Sequence, residues 1–167
     1  MLANHAKLMK FFSTAEEVVG RKKLQKMIYI LKKCDIPFDE KYEFHFYGPY
    51  SEELTLRIEE LCNLGFIDET KEKKSNYYQY RYKMTESGED FLEHSQVDLP
   101  PLDAMIDTMK EKSSRFLELV STMLYFDDLS KEEIEEKVQV VKKAQKYQQD
   151  DMDEAWEFIA SLQKSIH

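Results

Sequence analysis

The sequence predicts an α+β fold that is mostly helical, and three patterns carry the prediction. Apolar residues recur every three to four positions in Arg21–Lys33, as in a helix with one buried face. Tyrosines alternate with polar residues in Tyr77–Met84, as in a strand with one buried side. After the tandem prolines Pro100-Pro101, the remaining pattern is helical throughout.

The order of these elements predicts two parts. Residues 1–96 read as helix, helix, strand, helix, hairpin, helix, which is the order of a winged-helix domain. Residues 97–102 contain the two prolines and are predicted to be an extended linker. Residues 103–167 are predicted to form a three-helix C-terminal part.

Two helices are predicted at the start of the chain. The first spans Leu2–Ala15 and ends before a short connection at 16–20. The second runs from Arg21 to about Cys34, where Asp35-Ile36-Pro37 ends it. The inner half of the first helix holds Leu2, His5, Leu8, Met9 and Phe12, and the core face of the second holds Leu24, Met27, Ile28 and Leu31. Its opposite face is predicted to face solvent and holds Lys22, Lys26, Lys33 and Tyr29.

A short aromatic strand and a third helix follow. Tyr42–Tyr47 is predicted to be a strand that Gly48-Pro49 stops, because proline cannot donate to a ladder. Ser51 is predicted to cap the third helix, whose first turn carries acidic residues. Leu54, Ile58 and Leu61 form its buried stripe, and Gly65 is predicted to end it.

A hairpin and a fourth helix complete the first part. The strands are predicted at Phe66–Lys71 and Tyr77–Met84, and Thr85 caps a helix that runs to about Ser95. The tyrosines of the second strand allow two interpretations. They pack a sheet face against the helices, or they form a base-stacking surface like that of single-strand binders.

The C-terminal part is predicted to contain long amphipathic helices at Ala104–Phe126 and Ser130–Gln145 and a last helix that opens at Asp150 or Asp151. Ser130 with Glu133 is predicted to form a capping box. Three apolar residues lie partly off the main stripe: Leu119, Tyr125 and Phe126. We therefore expect a homodimer through these C-terminal helices.

Composition limits the protein class. The net charge is −9, but residues 1–50 carry +3 while 51–100 and 101–167 each carry −6. No apolar run approaches the ~20 residues of a membrane span. The N-terminus has no secretory pattern, and the two cysteines read as reduced and buried. We expect a cytoplasmic protein with no membrane partner.

No catalytic or metal-binding pattern is present in the sequence. The four glycines are scattered, and the two cysteines and four histidines have no ligand spacing. His45 could form a nucleophile pair with Cys34 or Cys62, but nothing in the sequence brings them together. We therefore predict a protein that is not an enzyme and that has no cofactor.

Two runs carry a family resemblance: KLQKMIYILKK at Lys23–Lys33 and YGPYSEEL at Tyr47–Leu54. Together they resemble the YwgA-like family of small uncharacterised bacterial proteins over nearly the whole chain. The first two thirds are more distantly similar to Panacea antitoxin-like domains, which share such a helix and a downstream Gly-Pro turn. That resemblance implies a protein that binds other proteins as an antitoxin or adaptor. The long, acidic C-terminal part departs from it.

Two functional classes follow. The preferred one is a non-enzymatic protein-interaction or regulatory module, and the alternative is a winged-helix DNA-binding transcriptional regulator. A recognition helix needs Arg, Lys, Asn or Gln, but the third helix carries four glutamates against Arg57. Any nucleic-acid contact should be weak and fall to basic residues elsewhere: Arg21, Lys22, Lys23, Lys26, Lys71, Lys73 and Lys74. A protein partner should contact the outer face of the third helix: Glu52, Leu56, Glu59 and Glu60.

Overall fold

The computed structural model describes residues 2–164 and has the α+β class that the sequence predicts. The described residues form eight α-helices and two small antiparallel sheets. The helices are α1 (Ala3–Ala15), α2 (Arg21–Lys33), α3 (Glu52–Asn63), α4 (Glu86–Glu93), α5 (Asp103–Lys110), α6 (Ser114–Tyr125), α7 (Lys131–Val141) and α8 (Gln149–Lys164). The strands are β1 (Glu17–Val19), β2 (Glu43–His45), β3 (Gly48–Tyr50), β4 (Ile67–Lys73) and β5 (Tyr78–Met84).

The larger sheet has the strand order β1-β5-β4. The predicted hairpin is present, with Ile67 opposite Met84 and Lys73 opposite Tyr78. Strand β1 lies where the sequence predicts only a connection. It pairs with β5 on the side opposite β4. A three-residue strand is too short to show a period. It is held in part by the Arg81 side chain, which binds the carboxylates of Glu17 and Glu72.

The sequence predicts that the aromatic strand stops at Gly48-Pro49. In the structure, Gly48-Pro49 instead begins a second strand. The chain turns at residues 46–47, and Gly48–Tyr50 pairs back onto β2 with Phe44 opposite Pro49. Gly48 has a φ of +92°, a region that glycine enters at little cost and other residues avoid. The prediction is wrong here because it counts proline only as a stop, whereas an edge strand admits it.

The predicted helix caps are confirmed. The Leu54 amide donates to the Ser51 hydroxyl at 3.1 Å, and the Gly88 amide donates to the Thr85 hydroxyl at 3.0 Å. Ser130 and Glu133 form the predicted capping box. Gly65 follows α3 with a φ of +78°, as expected of a residue that ends a helix.

The helix predicted at Ala104–Phe126 is two helices. The chain breaks after Lys110, and the Ser113 hydroxyl accepts the Phe116 amide at 3.1 Å to start α6. The described C-terminal part therefore has four α-helices where three are predicted. The apolar stripe continues across the break in the sequence, so periodicity alone does not locate it.

Helices α2 and α6 pack against each other at the centre of the molecule. Each has eight consecutive buried residues, Leu24–Leu31 in α2 and Leu117–Leu124 in α6. The prediction that Lys26 and Tyr29 face solvent is therefore wrong. The two side chains are only 1% and 5% exposed, because α6 and the β2–β3 hairpin cover the second face of α2.

The buried apolar residues on both sides of 97–102 belong to one hydrophobic cluster. The division into two domains and the winged-helix assignment remain predictions. So does the homodimer, although the residues that suggested it have contacts within the chain. Leu119 is fully buried, and Phe44 packs against the rings of Tyr125 and Phe126 at 5.1 and 5.5 Å.

Candidate functional site

A cavity of about 220 Å³ lies between α2, α3, the β2–β3 hairpin and the larger sheet. Its polar and charged lining comes mostly from the stretches singled out in the sequence. The lining residues are Arg21, Lys22, Leu24, Gln25, Lys26, Tyr47, Tyr50, Leu54, Thr55, Ile58, Glu59, Glu69 and Tyr82. Three of the seven predicted anion-contact residues, Arg21, Lys22 and Lys26, therefore meet at one cavity.

The first turn of α2 supplies two exposed cations to the lining. The Arg21 guanidinium lies 3.5 Å from the centroid of the Tyr80 ring and 4.0 Å from Glu69. The Lys22 ammonium lies 4.1 Å from the centroid of the Tyr47 ring. Within residues 2–164, no carboxylate lies within ion-pair distance of Lys22. Lys22 is therefore held by an aromatic face and not by an ion pair.

Lys26 is the buried cation of the lining. Its ammonium donates to the Pro49 carbonyl at 2.8 Å, which ties α2 to the β2–β3 hairpin. Burial lowers the pKa of Lys26 to about 8; Glu118 opposes this shift, while Lys142 and Lys22 add to it. The ammonium is thus desolvated and only partly compensated.

Glu118 and Lys142 complete a buried charged cluster under the same hairpin. Lys142 donates to the Phe46 carbonyl at 2.8 Å and lies 3.3 Å from a Glu118 carboxylate oxygen. Lys142 and Glu118 are 5% and 4% exposed. With Lys26, the cluster has two ammonium groups and one carboxylate, so its formal charge is +1. Because Glu118 pairs with Lys142, the unpaired positive charge is that of Lys26, which lines the cavity.

Gln25, Thr55 and Tyr50 fix the polar edge of the cavity. The Gln25 amide donates to the Ser51 carbonyl at 2.9 Å and to the Thr55 hydroxyl at 3.1 Å. The Tyr50 and Thr55 hydroxyls are 3.0 Å apart. These bonds join the start of α3 to α2 and hold the lining in place.

The outer face of α3 has the character that the sequence predicts. Leu56 is 57% exposed, and Glu52, Glu59 and Glu60 are exposed as well. Glu60 lies 3.5 Å from His5, and Glu59 borders the cavity. This face therefore presents one apolar side chain on an acidic helix.

The cation of α3, Arg57, is occupied elsewhere. Its guanidinium binds Glu40, which is buried, and lies 3.4 Å from Asp39. These acidic partners hold the pKa of Arg57 above its ordinary value against the effect of burial. Arg57 is thus a structural cation and not one that is offered to a phosphate.

The other predicted anion contacts lie apart from this cavity lining. Lys23 donates to the Lys110 carbonyl at 2.7 Å and so caps the end of α5. Lys71 and Lys73 lie on β4, and Lys74 follows it. The Lys71 ammonium is 4.2 Å from the centroid of the Tyr78 ring. The structure thus separates the seven residues into a cavity group, a cap and a hairpin group.

Sequence reasoning missed several residues of this region. The sequence does contain a pattern that could have identified Glu118, since a carboxylate inside the apolar run Phe116–Phe126 must find a buried partner. No pattern in the sequence identifies Lys142, because it lies in a polar stretch at the end of α7. Tyr47 and Tyr50 reach the cavity because the hairpin folds back over α2, and Thr55 reaches it from α3, where its hydroxyl accepts from Gln25 of α2.

The described residues offer few groups for other chemistry. Burial raises the pKa of both Cys34 and Cys62 to about 11, so each is a thiol at neutral pH. No group of three His, Cys, Asp or Glu side chains within 2–164 could hold a metal ion. None of the helices in this range combines the length and apolar character needed to cross a bilayer.

Comparison with known proteins gives one strong match. The Bacillus subtilis (strain 168) protein named "Uncharacterized protein YwgA" is 61% identical over 164 residues. The alignment covers 98% of this chain and 99% of that protein. No family model matches the chain.

Proposed function

The chain belongs to the YwgA family of bacterial proteins, and we propose that it is a non-enzymatic interaction module that captures a protein partner on the outer face of α3. The partner presents a small apolar pocket flanked by Lys or Arg. The same class is what a resemblance of the two sequence runs to Panacea antitoxin-like domains would imply.

The exposure of Leu56 carries this proposal. Leu54 and Leu56 are two positions apart on α3, yet Leu54 is 1% exposed and Leu56 is 57% exposed. Leu56 contributes nothing to the core on which the fold depends. An apolar anchor within a charged rim is the usual arrangement of a protein-binding patch. The acidic rim favours a basic partner and disfavours a polyanion.

DNA binding is the second candidate, and one observation favours it. Tyr77 and Tyr78 are each 57% exposed at the end of the β4–β5 hairpin, next to Lys71. Exposed rings beside lysines can stack on bases and neutralise phosphates. However, Glu69 and Glu72 on the same strand repel phosphates, and α3 has no uncommitted cation. Such binding should be weak and steeply dependent on salt.

Affinity capture from the native cell distinguishes the two candidates. We expect wild-type protein to retain its partner after nuclease treatment, because the contact is with protein. The Leu56→Ala variant should retain clearly less of that partner. The matched control is Leu64→Ala, which removes a leucine of similar exposure, 52%, at the end of the same helix. Loss of every bound protein on nuclease treatment would support DNA binding instead.

A further inference from the structure

We propose that the cavity between α2, α3 and the β2–β3 hairpin is a binding site for a small carboxylate with an apolar or aromatic body, held by Lys22 and Lys26. The site is separate from the Leu56 face, and the inference does not depend on the proposed protein partner. The ligand carboxylate lies at the lysine end, and its body lies among the apolar and aromatic side chains.

The balance of charge around the cavity favours an anion. Of the two carboxylates in the lining, Glu69 lies near Arg21, at 4.0 Å, and Glu59 is exposed at the edge. Within 2–164 no carboxylate lies within ion-pair distance of Lys22, and Lys26 belongs to a buried cluster with an excess of one positive charge. An incompletely paired buried charge is costly, and a bound anion would reduce that cost.

Lys26 has the hydrogen-bonding capacity that such a ligand requires. An ammonium group has three N–H donors, and the Pro49 carbonyl takes one of them at 2.8 Å. Within the part of the chain that the structure describes, no carboxylate lies within ion-pair distance of Lys26, so the other donors are available to a ligand. Lys22 approaches from the first turn of α2, one helical turn away on the same side, where the helix dipole also favours an anion.

The size of the cavity and the chemistry of its walls define the rest of the ligand. At about 220 Å³, the cavity is smaller than the roughly 300–1,000 Å³ of sites for drug-sized ligands. It is therefore too small for a nucleotide. Leu24, Leu54 and Ile58 supply apolar walls, and Tyr47, Tyr50 and Tyr82 supply aromatic ones. A single ring or a short branched chain with one carboxylate fits these limits.

The test is a titration of the full chain followed by amide NMR spectra, with benzoate and benzamide as probes. The two molecules have the same ring and nearly the same shape, but only benzoate is charged. We expect saturable benzoate binding with a Kd of ~1 mM or tighter. The shifted amides should be those of the lining residues. Benzamide should bind at least about tenfold more weakly, because it lacks the charge that the lysines recognise.

Two variants locate the charge that is responsible. Lys22→Gln should weaken benzoate binding about three- to fivefold, the size of one exposed charge interaction. It should not alter thermal stability, because Lys22 is exposed. Lys10→Gln, an exposed lysine of α1 outside the cavity lining, is the matched control and should bind benzoate as the wild type does.

A readout on Lys26 needs no substitution. Bound benzoate should raise the pKa of its ammonium, observed in lysine ammonium NMR spectra, and benzamide should not. A further arm compares benzoate with N-acetylphenylalanine, which mimics the end of a peptide. Tighter binding of benzoate assigns the site to a free small carboxylate, and tighter binding of the peptide mimic assigns it to a peptide terminus.

Three results would overturn the inference: no saturable binding of either carboxylate, equal affinity for benzoate and benzamide, or amide shifts away from the cavity. None of them would affect the proposed partner contact, which is tested through Leu56. Conversely, a failed Leu56 experiment leaves the benzoate result intact.

Discussion

Lys26 is the residue on which the central packing and the cavity both depend. Its side chain crosses from α2 to the hairpin, donates to the Pro49 carbonyl and contributes one of the charges of the buried cluster. The sequence places it on the polar face of a single amphipathic helix. That interpretation failed because a helix period describes one segment, whereas the burial of Lys26 is caused by α6, about 90 residues later in the chain.

The burial of Lys26 predicts a specific pH dependence of stability. Its pKa is about 8 in the folded chain against an ordinary value of 10.5, so between these values the unfolded chain binds more protons. The free energy of unfolding therefore rises with pH in this range. The stability that Lys26 contributes is fully present above the unfolded pKa of 10.5, and it is lost as the pH falls through the folded pKa of about 8. Relative to Lys26→Met, the wild type should gain about 2 kcal/mol between pH 8 and 10.

Urea unfolding of both proteins across this range measures the effect. The comparison cancels the contribution of tyrosine titration to the pH dependence, since both proteins retain the same tyrosines. A difference in unfolding free energy that is constant with pH would mean that the Lys26 ammonium is not desolvated. The cavity would then have no buried cation.

The β2–β3 hairpin is the element that the sequence predicted least well and that organises the site most. It was recognised only as a strand and a stop, because its second strand contains Gly48 and Pro49. The helix caps, in contrast, were predicted correctly. A cap depends on residues three positions apart, while the hairpin depends on distant contacts with Lys26 and Lys142.

Gly48 gives a test of how tightly this hairpin is held. A Cβ at Gly48 would lie 3.3 Å from the Thr122 hydroxyl of α6, and its φ is +92°. Gly48→Ala should therefore cost about 2–3 kcal/mol of stability, from backbone strain together with crowding. Gly65→Ala is the control, since its φ is +78° but no atom lies within 4 Å of its Cβ. It should cost about 1 kcal/mol. Equal costs in thermal unfolding would show that the hairpin is not pressed against α6.

At the scale of the whole molecule, the α+β class and most of the helices could be predicted from the sequence. The short strands β1 and β3, the break between α5 and α6, and the joining of the two parts could not. Local periodicity and turn residues determine the elements. The packing of α6 on α2 depends on residues such as Leu119 and Ile30, which belong to no local pattern that identifies their partner.

The shared core predicts cooperative unfolding. Because the buried apolar residues before and after 97–102 form one cluster, calorimetry should show a single transition with equal calorimetric and van't Hoff enthalpies. A chain that ends at residue 96 should fail to fold, since α2 would lose the cover of α6. Two separate transitions would show instead that residues 1–96 and 103–167 are independent domains.

The central claim is that the outer face of α3 binds a partner through Leu56, and affinity for the captured partner tests it most directly. Leu56→Ala should weaken binding by about 1 kcal/mol or more, roughly fivefold, while its melting temperature stays close to that of the wild type. Leu64→Ala should bind as the wild type does. Equal affinity of wild type and Leu56→Ala for the partner would contradict the claim.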